Sequence, residues 1–318
     1  MLKRPILVNK TAILAGHQDC VYALEIGRTP YEIFSADGSG SVAIWDLRTP
    51  DLGKLLAKLP NSVYALCYWR ERNILIIGQN FEGLHFIDLT LHRQVGSIKL
   101  TSQAIFDIKI YQNLAWVACG DGVLIIVDLP NMAVKKHIKA SEKSARCIDI
   151  HAERQQVAVG YSDNAIRIFG LNDFLPLANL PNSHLNSVFC VKYAPKGNFL
   201  LSSSRDARLK IWDIDNNFAL HQEIVAHLYA LNHIAFSPDG ENFATCSMDK
   251  TIKIWDSYTF QLLKVIDRAR HAGHGTSVNK LVWTSYENLL LSASDDRMVS
   301  VWQLTQGQAT KNAEFAQT

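Results

Sequence analysis

Hydrophobic and polar residues alternate along this chain in short blocks. Apolar runs such as SVYALCYW, SVFCVKY and FLLSSS are separated by turns rich in Gly, Pro, Asn and Asp. This pattern predicts short β-strands joined by tight connections. Other runs, such as ILII and VLIIV, are apolar on both faces, which is typical of strands in sheets packed on both sides. No segment of a dozen residues shows a helical period, so long helices are not expected.

The strands recur with a fixed period. The pieces AIWD, LKIWD and IKIWD mark it most clearly, and HFID, LIIVD, RIFG and SVWQ are weaker echoes. Each unit begins with Gly-His or a remnant of it and continues through two strands, an Asp-containing turn, a third strand that ends at the marker, and a variable fourth strand. The marker recurs about every 43 residues, within the range of one known repeat class. Its Trp position is occupied by Trp45, Ile87, Val127, Phe169, Trp212, Trp255 and Trp302.

These markers make the chain resemble a WD40-repeat protein over residues 11–304. Blades five to seven match the family motif closely, and blades two to four are degenerate. The resemblance implies an all-β fold: a seven-bladed β-propeller of four-stranded antiparallel blades. It also implies a division into an N-terminal extension (1–10), a single propeller (11–304) and a polar C-terminal tail (305–318).

The resemblance further implies how the ring closes. The segment after Trp302 is polar and poor in strand-forming residues, whereas residues 11–14 (TAIL) stand where other repeats carry their fourth strand. We therefore expect this N-terminal strand to pair into the last blade, which removes exposed sheet edges. The alternative is that the segment only packs on the surface.

Three repeats carry a His, a Ser or Thr, an Asp and a Trp at fixed offsets. Although a Ser–His–Asp set suggests a hydrolase triad, its recurrence with a Trp favours a structural hydrogen-bond chain: the indole donates to the hydroxyl, the hydroxyl to the His, and the His to the Asp. The members are His184, Ser202, Asp206 and Trp212 in blade five, His227, Thr245, Asp249 and Trp255 in blade six, and His274, Ser292, Asp296 and Trp302 in blade seven.

The first four blades depart from this set. Blade one keeps its His, Ser and Trp, but Ser39 stands at the Asp position and Asp37 lies two residues too early. Blades three and four keep only Asp121 and Asp163, and blade two keeps nothing. We expect these four blades to rely on apolar packing alone.

Composition narrows the class of protein. Of the 318 residues, 48% are hydrophobic and 19% charged, which excludes a disordered chain, and the net charge of +2 gives no global footprint for nucleic acid or an anionic membrane. No apolar run is long enough to span a membrane, and the N-terminus does not read as a signal peptide. The six cysteines are scattered without a CxxC, which favours reduced core thiols over disulfides or a metal site. We expect a cytoplasmic protein, with a nuclear location also open.

Other motifs for chemistry are absent or weak. His271 and His274 form an HxxH in the loop of residues 268–274, but a metal site needs further ligands on a rigid element. The same loop carries two arginines and is either a contact patch or a plain solvated loop. The chain has no phosphate-binding glycine motif. We expect no cofactor, no metal and no enzymatic activity.

The resemblance places the candidate binding residues on the narrow top face of the propeller. The residue five positions after each His position opens the innermost strand and is expected to point there. These residues are Tyr22, Tyr64, Phe106, Arg146, Phe189, Asn232 and Asn279. Aromatic and Arg side chains are enriched at binding hot spots. The residues before the motif Asp add Ser162, Arg205, Met248 and Asp295. The alternative is that the aromatic rings only plug the junctions between blades.

Two functions remain open. The first is a non-enzymatic scaffold, monomeric by itself, whose top face binds a protein or peptide; neither membrane nor nucleic acid is an expected partner. The second is a propeller enzyme or small-ligand sensor that uses the central channel. An enzyme needs several acid, base or metal-ligating groups at the channel, and the seven candidate positions supply one Arg and mostly aromatic rings.

Overall fold

Seven four-stranded antiparallel sheets form a closed ring in the computed structural model, which describes residues 6–307. The innermost strands of neighbouring sheets contact one another in chain order, and the innermost strand of the seventh sheet contacts that of the first. This is the seven-bladed all-β propeller that the resemblance to WD40-repeat proteins implied.

The first four blades follow one another along the chain, each running from the innermost to the outermost strand. Blade one consists of β2 (Val21–Ile26), β3 (Glu32–Asp37), β4 (Ser41–Asp46) and β5 (Lys54–Lys58). Blade two consists of β6 (Val63–Trp69), β7 (Ile74–Gln79), β8 (Gly83–Asp88) and β9 (Arg93–Lys99). Blade three consists of β10 (Ile105–Tyr111), β11 (Leu114–Cys119), β12 (Val123–Asp128) and β13 (Ala133–Lys139). Blade four consists of β14 (Ala145–His151), β15 (Gln156–Tyr161), β16 (Ile166–Gly170) and β17 (Pro176–Leu180).

The last three blades include the closure. Blade five consists of β18 (Val188–Tyr193), β19 (Phe199–Ser204), β20 (Arg208–Asp213) and β21 (Ala219–Val225). Blade six consists of β22 (Leu231–Phe236), β23 (Asn242–Ser247), β24 (Ile252–Asp256) and β25 (Leu262–Ile266). Blade seven consists of β26 (Val278–Trp283), β27 (Leu289–Ser294), β28 (Met298–Gln306) and, outermost, β1 (Ile6–Ala15). Short helical turns are α1 (Arg268–His271) and the 3₁₀ segments Arg70–Arg72 and Tyr286–Asn288.

The N-terminal strand closes the ring, as the resemblance implied. Strand β1 pairs antiparallel with β28 from Ile6 opposite Gln306 to Ala15 opposite Met298. The strand is longer than expected, because it begins at Ile6 rather than at residue 11. Residues 6–10 therefore belong to blade seven, and β28 extends past the expected boundary at 304. Residues 1–5 and 308–318 of the expected extension and tail lie outside the described residues.

Apolar packing between adjacent sheets forms the core. All six residues of β7 are buried, whereas the outermost strand β9 is mostly exposed. One cluster joins Trp69 and Phe86 of blade two to Ile108 and Val117 of blade three. Each sheet between two neighbours thus buries both faces, which accounts for the doubly apolar runs in the sequence.

The turn between the second and third strands has a recurring conformation. The residue after the motif Asp has a positive φ in blades three to seven, for example 66° at Ala207, 71° at Lys250 and 83° at Gly122. In blade five the Asp206 carboxylate accepts a hydrogen bond from the backbone N–H of Arg208 at 2.9 Å. An Asp side chain that bonds two residues ahead stabilises such a turn, which explains the Asp before every marker strand of blades three to seven.

Two further features bear on the class of protein: the state of the cysteines and the length and hydropathy of the helices. All six cysteines are free thiols, five of them buried. Within residues 6–307, no helix has the length and apolar character needed to cross a membrane.

Candidate functional site

A β-bulge opens the innermost strand of every blade. The register between the first two strands shifts between Val21 and Ala23 in blade one, and between Val278 and Lys280 in blade seven. The five blades between them show the same shift. A bulge adds one residue and re-aims its side chain. The residue inside each bulge is the candidate binding residue of its blade.

These seven bulge residues surround one cavity, which we call the mouth. It has a volume of about 540 Å³ and opens on the top face, the side with the loops from each outermost strand to the next innermost strand. All seven side chains are partly exposed. The mouth residues are Tyr22, Tyr64, Phe106, Arg146, Phe189, Asn232 and Asn279. The structure therefore brings all of them together.

Aromatic rings form an arc along one side of the mouth. The Tyr22 and Tyr64 rings meet edge to face, with centroids 4.9 Å apart. The rings of Tyr64 and Phe106 are stacked with an angle of 4° between their planes and centroids 5.9 Å apart. Each ring thus packs against its neighbour on the next blade and still presents part of its surface to the cavity.

Arg146 continues the arc on blade four. Its guanidinium lies 3.8 Å from the ring centre of Phe106 and 5.0 Å from that of Phe189. Burial lowers the pKa of Arg146, but a guanidinium stays protonated in proteins. Among the described residues it has no hydrogen-bond or ion-pair partner, so its N–H donors are available to a ligand.

The two Asn residues of the mouth are tied to the wall. Asn232 donates to the carbonyl of Val278 at 2.8 Å, and Asn279 donates to the carbonyl of Val21 at 3.1 Å. Asn279 also donates to the Asp295 carboxylate at 2.7 Å. These side chains join neighbouring blades, and they offer less to a ligand than the aromatic arc.

Exposed apolar side chains surround the mouth on the same face, and we call them the rim. Met248 is 57% exposed, as expected from its place before the motif Asp, and Arg205 is exposed beside it. Ser162 and Asp295 are only partly exposed. Sequence reasoning missed the other rim members, Phe81, Leu185, Leu228 and Tyr229, which are 59–83% exposed. Their signal in the sequence was a large apolar residue one or two positions after a His position, or in the turn between the second and third strands of a blade.

The repeated polar sets form hydrogen-bond chains in blades five to seven. In blade five, Trp212 Nε1 donates to Ser202 Oγ at 2.8 Å, His184 Nε2 lies 2.7 Å from that hydroxyl, and His184 Nδ1 lies 3.0 Å from Asp206. Blades six and seven repeat this arrangement through Trp255 and Trp302. The chains are buried inside the blades and away from the mouth.

The electrostatics of the chains in blades five and six favour a neutral His and an ionised Asp. Burial lowers the pKa of His184, and its Asp206 partner only partly offsets this. Burial acts to raise the pKa of Asp206, but hydrogen bonds from His184 and two backbone N–H groups bring it down to about 2. The neutral ring then donates from Nδ1 to the carboxylate and accepts the Ser hydroxyl at Nε2.

Blade one contradicts the expectation that it relies on apolar packing alone. Asp37 lies 2.8 Å from His17 Nδ1, His17 Nε2 lies 2.6 Å from Ser35, and Trp45 donates to Ser35 at 2.7 Å. The network is complete although its Asp stands two positions early. Asp37 sits at the end of β3, where the other networks have a Ser, and its side chain reaches both the His and the turn.

Blade four also departs from that expectation. Asp163 accepts two hydrogen bonds from Arg167, at 3.1 and 2.7 Å, and one from Ser141 at 2.7 Å. In blade two, Gln79 donates to Glu82 at 2.8 Å. Polar contacts thus supplement the apolar core in the degenerate blades, with partners that the family motif does not specify.

Charged side chains line the channel below the mouth, and sequence reasoning missed them. They lie one and three residues after the bulge positions, on the channel-facing side of the innermost strands. Lys109 pairs with Asp107 at 3.1 Å, and Lys192 pairs with Asp149 at 3.0 Å. The remaining members are Glu25, His233 and Lys280. The expectation that the channel offers one Arg and mostly aromatic rings therefore holds only at the mouth.

The loop with the HxxH motif forms a short helix rather than a metal site. Asp267 caps α1 by accepting from the backbone of Arg270 and also pairs with its guanidinium at 2.6 Å. His274 is held by Asp296 at 2.7 Å in the blade-seven network. Over residues 6–307, no group of three or more His, Cys, Asp or Glu side chains is placed to hold a metal ion.

Comparison with known proteins agrees with this architecture. The family model for the WD domain, G-beta repeat (WD40), matches residues 176–213, 219–256 and 266–303. The first two matches run from the outermost strand of one blade through the third strand of the next. This offset between repeat and blade is the reason that a closed ring needs a strand from the other end of the chain.

Two curated relatives and one solved structure are similar to the chain. The transcription factor unc-37 of Caenorhabditis elegans is 22% identical over 259 residues, covering 65% of this chain and 42% of the relative. Protein groucho of Drosophila melanogaster is 22% identical over 205 residues, covering 62% and 28%. The chain spans less than half the length of either. The WD40 beta propeller domain of Doa1 superposes with a TM-score of 0.81 at 16% identity, covering 95% of this chain and 97% of that one.

A closed ring of seven tandem-repeat blades, with a residue of each blade directed to a common mouth, defines the class of β-propellers. Within that class, three repeats of this chain match the WD40 family model, and the ring as a whole has the fold of a WD40 propeller.

Proposed function

We propose that this protein is a non-enzymatic interaction scaffold whose top face binds a protein or peptide partner. The observation that carries the proposal is the aromatic arc of the mouth, which ends at an Arg146 guanidinium without a partner among the described residues. Aromatic rings offer large apolar contact area at low entropic cost. An unpaired guanidinium fits a carboxylate through two parallel hydrogen bonds.

The partner is therefore a segment with an apolar anchor and an acidic neighbour. The anchor contacts Tyr22, Tyr64 and Phe106, and the acidic side chain pairs with Arg146. The rim extends the apolar surface outward beyond the cavity, with Leu228 83% exposed and Leu185 74% exposed. Large exposed apolar side chains grouped on one face are typical of interaction sites.

The similarity to unc-37 and groucho supports a scaffold as the kind of protein, and it leaves the partner open. The cytoplasmic location expected from the sequence stays a prediction, and similarity to a protein named a transcription factor keeps the nuclear alternative. The absence of enzymatic activity is part of the proposal, because the buried Ser–His–Asp sets are held by their Trp partners inside the blades and away from the open mouth.

Affinity capture from native extract tests the proposal. The wild type, Arg146→Ala and Tyr258→Ala are compared; Tyr258 is 55% exposed in the turn after β24, on the opposite face. We expect proteins captured by the wild type to be retained by Tyr258→Ala and lost with Arg146→Ala, while all three show the same melting temperature. Equal capture by all three folded proteins contradicts a top-face site.

A further inference from the structure

Four basic side chains line the central channel where two cavities meet, and we call them the waist. The mouth cavity above and a second cavity of about 370 Å³ below share these four residues in their walls. The channel therefore continues past the mouth, and the lining that the two cavities share is basic. The waist residues are Lys109, Lys192, His233 and Lys280.

Two of the three lysines are already paired. Lys109 forms an ion pair with Asp107 at 3.1 Å, and Lys192 forms one with Asp149 at 3.0 Å. Asp107 and Asp149 also accept backbone N–H groups from the next blade, at 2.9 and 2.8 Å. These carboxylates are committed to holding neighbouring blades together and to their own lysines.

Lys280 is different. Within residues 6–307 it has no hydrogen-bond partner and no carboxylate within ion-pair distance, although its side chain lies deep in the molecule and touches the open channel. Burial lowers the pKa of Lys280, the nearby Lys109 and Lys192 act in the same direction, and the charge of Asp107 offsets this only in part. Glu25, which lines the lower cavity, has a pKa raised by burial and does not pair with it directly.

His233 provides a second donor beside Lys280. Its Nδ1 accepts from the backbone N–H of Leu281 at 3.4 Å, which places the ring next to Lys280 across the junction of blades six and seven. Burial and the nearby lysines lower the pKa of His233 well below its usual value. The neutral ring that accepts at Nδ1 carries its proton on Nε2, as a donor.

We propose that the waist binds an oxyanion, the carboxylate or phosphate of a small ligand that enters through the mouth. An ammonium group deep in a protein without a direct ion pair is costly, and an anion held by Lys280 and His233 lowers that cost. The mouth cavity, at about 540 Å³, is of the size that small-molecule sites have. The inference is separate from the partner surface, since it depends on residues below the aromatic arc.

Direct binding of two probes tests the waist. Inorganic phosphate and citrate are titrated by calorimetry into the wild type, Lys280→Met and the control Lys54→Met, at constant ionic strength set with chloride. Lys54 is exposed on β5, so its loss removes the same charge from the surface. We expect at least one probe to bind the wild type and Lys54→Met alike, and to bind Lys280→Met at least tenfold more weakly.

The probe that binds identifies the source of the oxyanion: phosphate indicates a phosphate-bearing ligand, and citrate a carboxylate-bearing one. Binding of neither probe to the wild type, or equal binding to all three proteins, overturns the proposal. Neither outcome affects the proposed partner surface on the top face, which the affinity capture with Arg146→Ala tests separately.

A second measurement uses only the wild type and does not depend on the folding of a variant. The protein is acetylated briefly with acetic anhydride, with and without each probe, and modification of Lys280 and Lys54 is read by peptide mass spectrometry. We expect phosphate or citrate to protect Lys280 severalfold and to leave Lys54 unchanged. Unchanged labelling of Lys280 with both probes contradicts an oxyanion site at the waist.

Discussion

A single carboxylate organises each polar network and also supports the turn beside it. In blade five one oxygen of Asp206 contacts His184, and the other accepts from the backbone of Arg208. Asp37 does the same in blade one from a different sequence position, contacting His17 with one oxygen and the backbone of Ser41 with the other. The geometry of the turn, rather than the position of the Asp along the chain, therefore decides whether the network forms.

Blade one tests this directly. Asp37→Ala removes the partner of a buried His, and an unsatisfied buried polar group costs about 1–3 kcal/mol. Ser39→Ala removes a partly buried hydroxyl at the position where the family motif has its Asp, and we expect a smaller loss. The free energy of unfolding of each variant is measured in urea and compared with that of the wild type. An equal or greater loss for Ser39→Ala would show that the Asp37 network does not stabilise the blade.

Trp255 and Phe169 occupy the same repeat position with different partners. Trp255→Ala removes a packed ring and the donor to Thr245, and truncation of a large buried aromatic costs about 3–5 kcal/mol. Phe169→Leu is nearly volume-conserving in a blade without that network, and we expect a loss below about 1.5 kcal/mol. The denaturant midpoints of the two variants check this order of stability, provided that the unfolding free energy of both depends on denaturant with the same slope. Equal midpoints would contradict the contribution assigned to the network.

The lowered pKa values of His184 and His227 make stability pH-dependent. Burial lowers the pKa of His184 and of His227, so below pH ~6.5 the unfolded chain binds more protons than the folded one. Stability therefore falls as the pH falls through this window. Asp206, with a pKa lowered to about 2, holds its contribution until the pH drops below its usual pKa near 4.

Urea unfolding at pH 7.5 and 5.5 measures this effect. The wild type should be less stable at pH 5.5. His227→Gln should be less stable than the wild type at pH 7.5 but lose less between the two values, since it lacks one of the groups that protonate on unfolding. A wild type that is equally stable or more stable at pH 5.5 would contradict the neutral state of these rings.

Closure depends on one strand from the opposite end of the chain. Strand β1 contributes Leu14, which is fully buried against blades seven and one, and its deletion would leave the backbone groups of β28 unpaired at an exposed sheet edge. We expect a protein without residues 1–14 to aggregate or to melt at a much lower temperature.

Removal of residues 308–318 is the control, and it should change the melting temperature little. The melting temperatures of the two truncations, measured by circular dichroism, decide between closure by β1 and a surface role for it. An N-terminal truncation that melts like the full chain would rule out closure by this strand.

The hydrophobic pattern and the repeat spacing were sufficient to predict seven units of short strands in a fixed order. The resemblance to WD40-repeat proteins then implied the blades and the closing strand. The start of β1 at Ile6 was not predicted, since the alternation in residues 6–10 is interrupted by Asn9 and Lys10. The local sequence does not predict the bulges, because residues as different as Tyr22 and Asn279 occupy the same bulge geometry. The charged lining of the channel was missed for the same reason: which residues face inward depends on where the bulge resets the alternation.

The mouth is a property of the whole ring. Seven bulges place seven side chains around one cavity, so the surface of the mouth belongs to no single blade. Its shape depends on contacts between blades, as the stacking of Tyr64 on Phe106 shows. We expect a partly exposed mouth residue such as Tyr64 to be replaceable without unfolding the protein, which would separate binding from stability in an experiment.

The dissociation constant of a recovered partner tests the central claim most directly. It is measured by calorimetry for the wild type, for Tyr64→Ala in the mouth and for Tyr258→Ala on the opposite face, after the melting temperatures show that all three are folded. A hot-spot aromatic contributes at least about 1–2 kcal/mol, so Tyr64→Ala should weaken binding about tenfold or more and Tyr258→Ala less than twofold. Unchanged binding by Tyr64→Ala, or a larger loss with Tyr258→Ala, would place the partner on another surface.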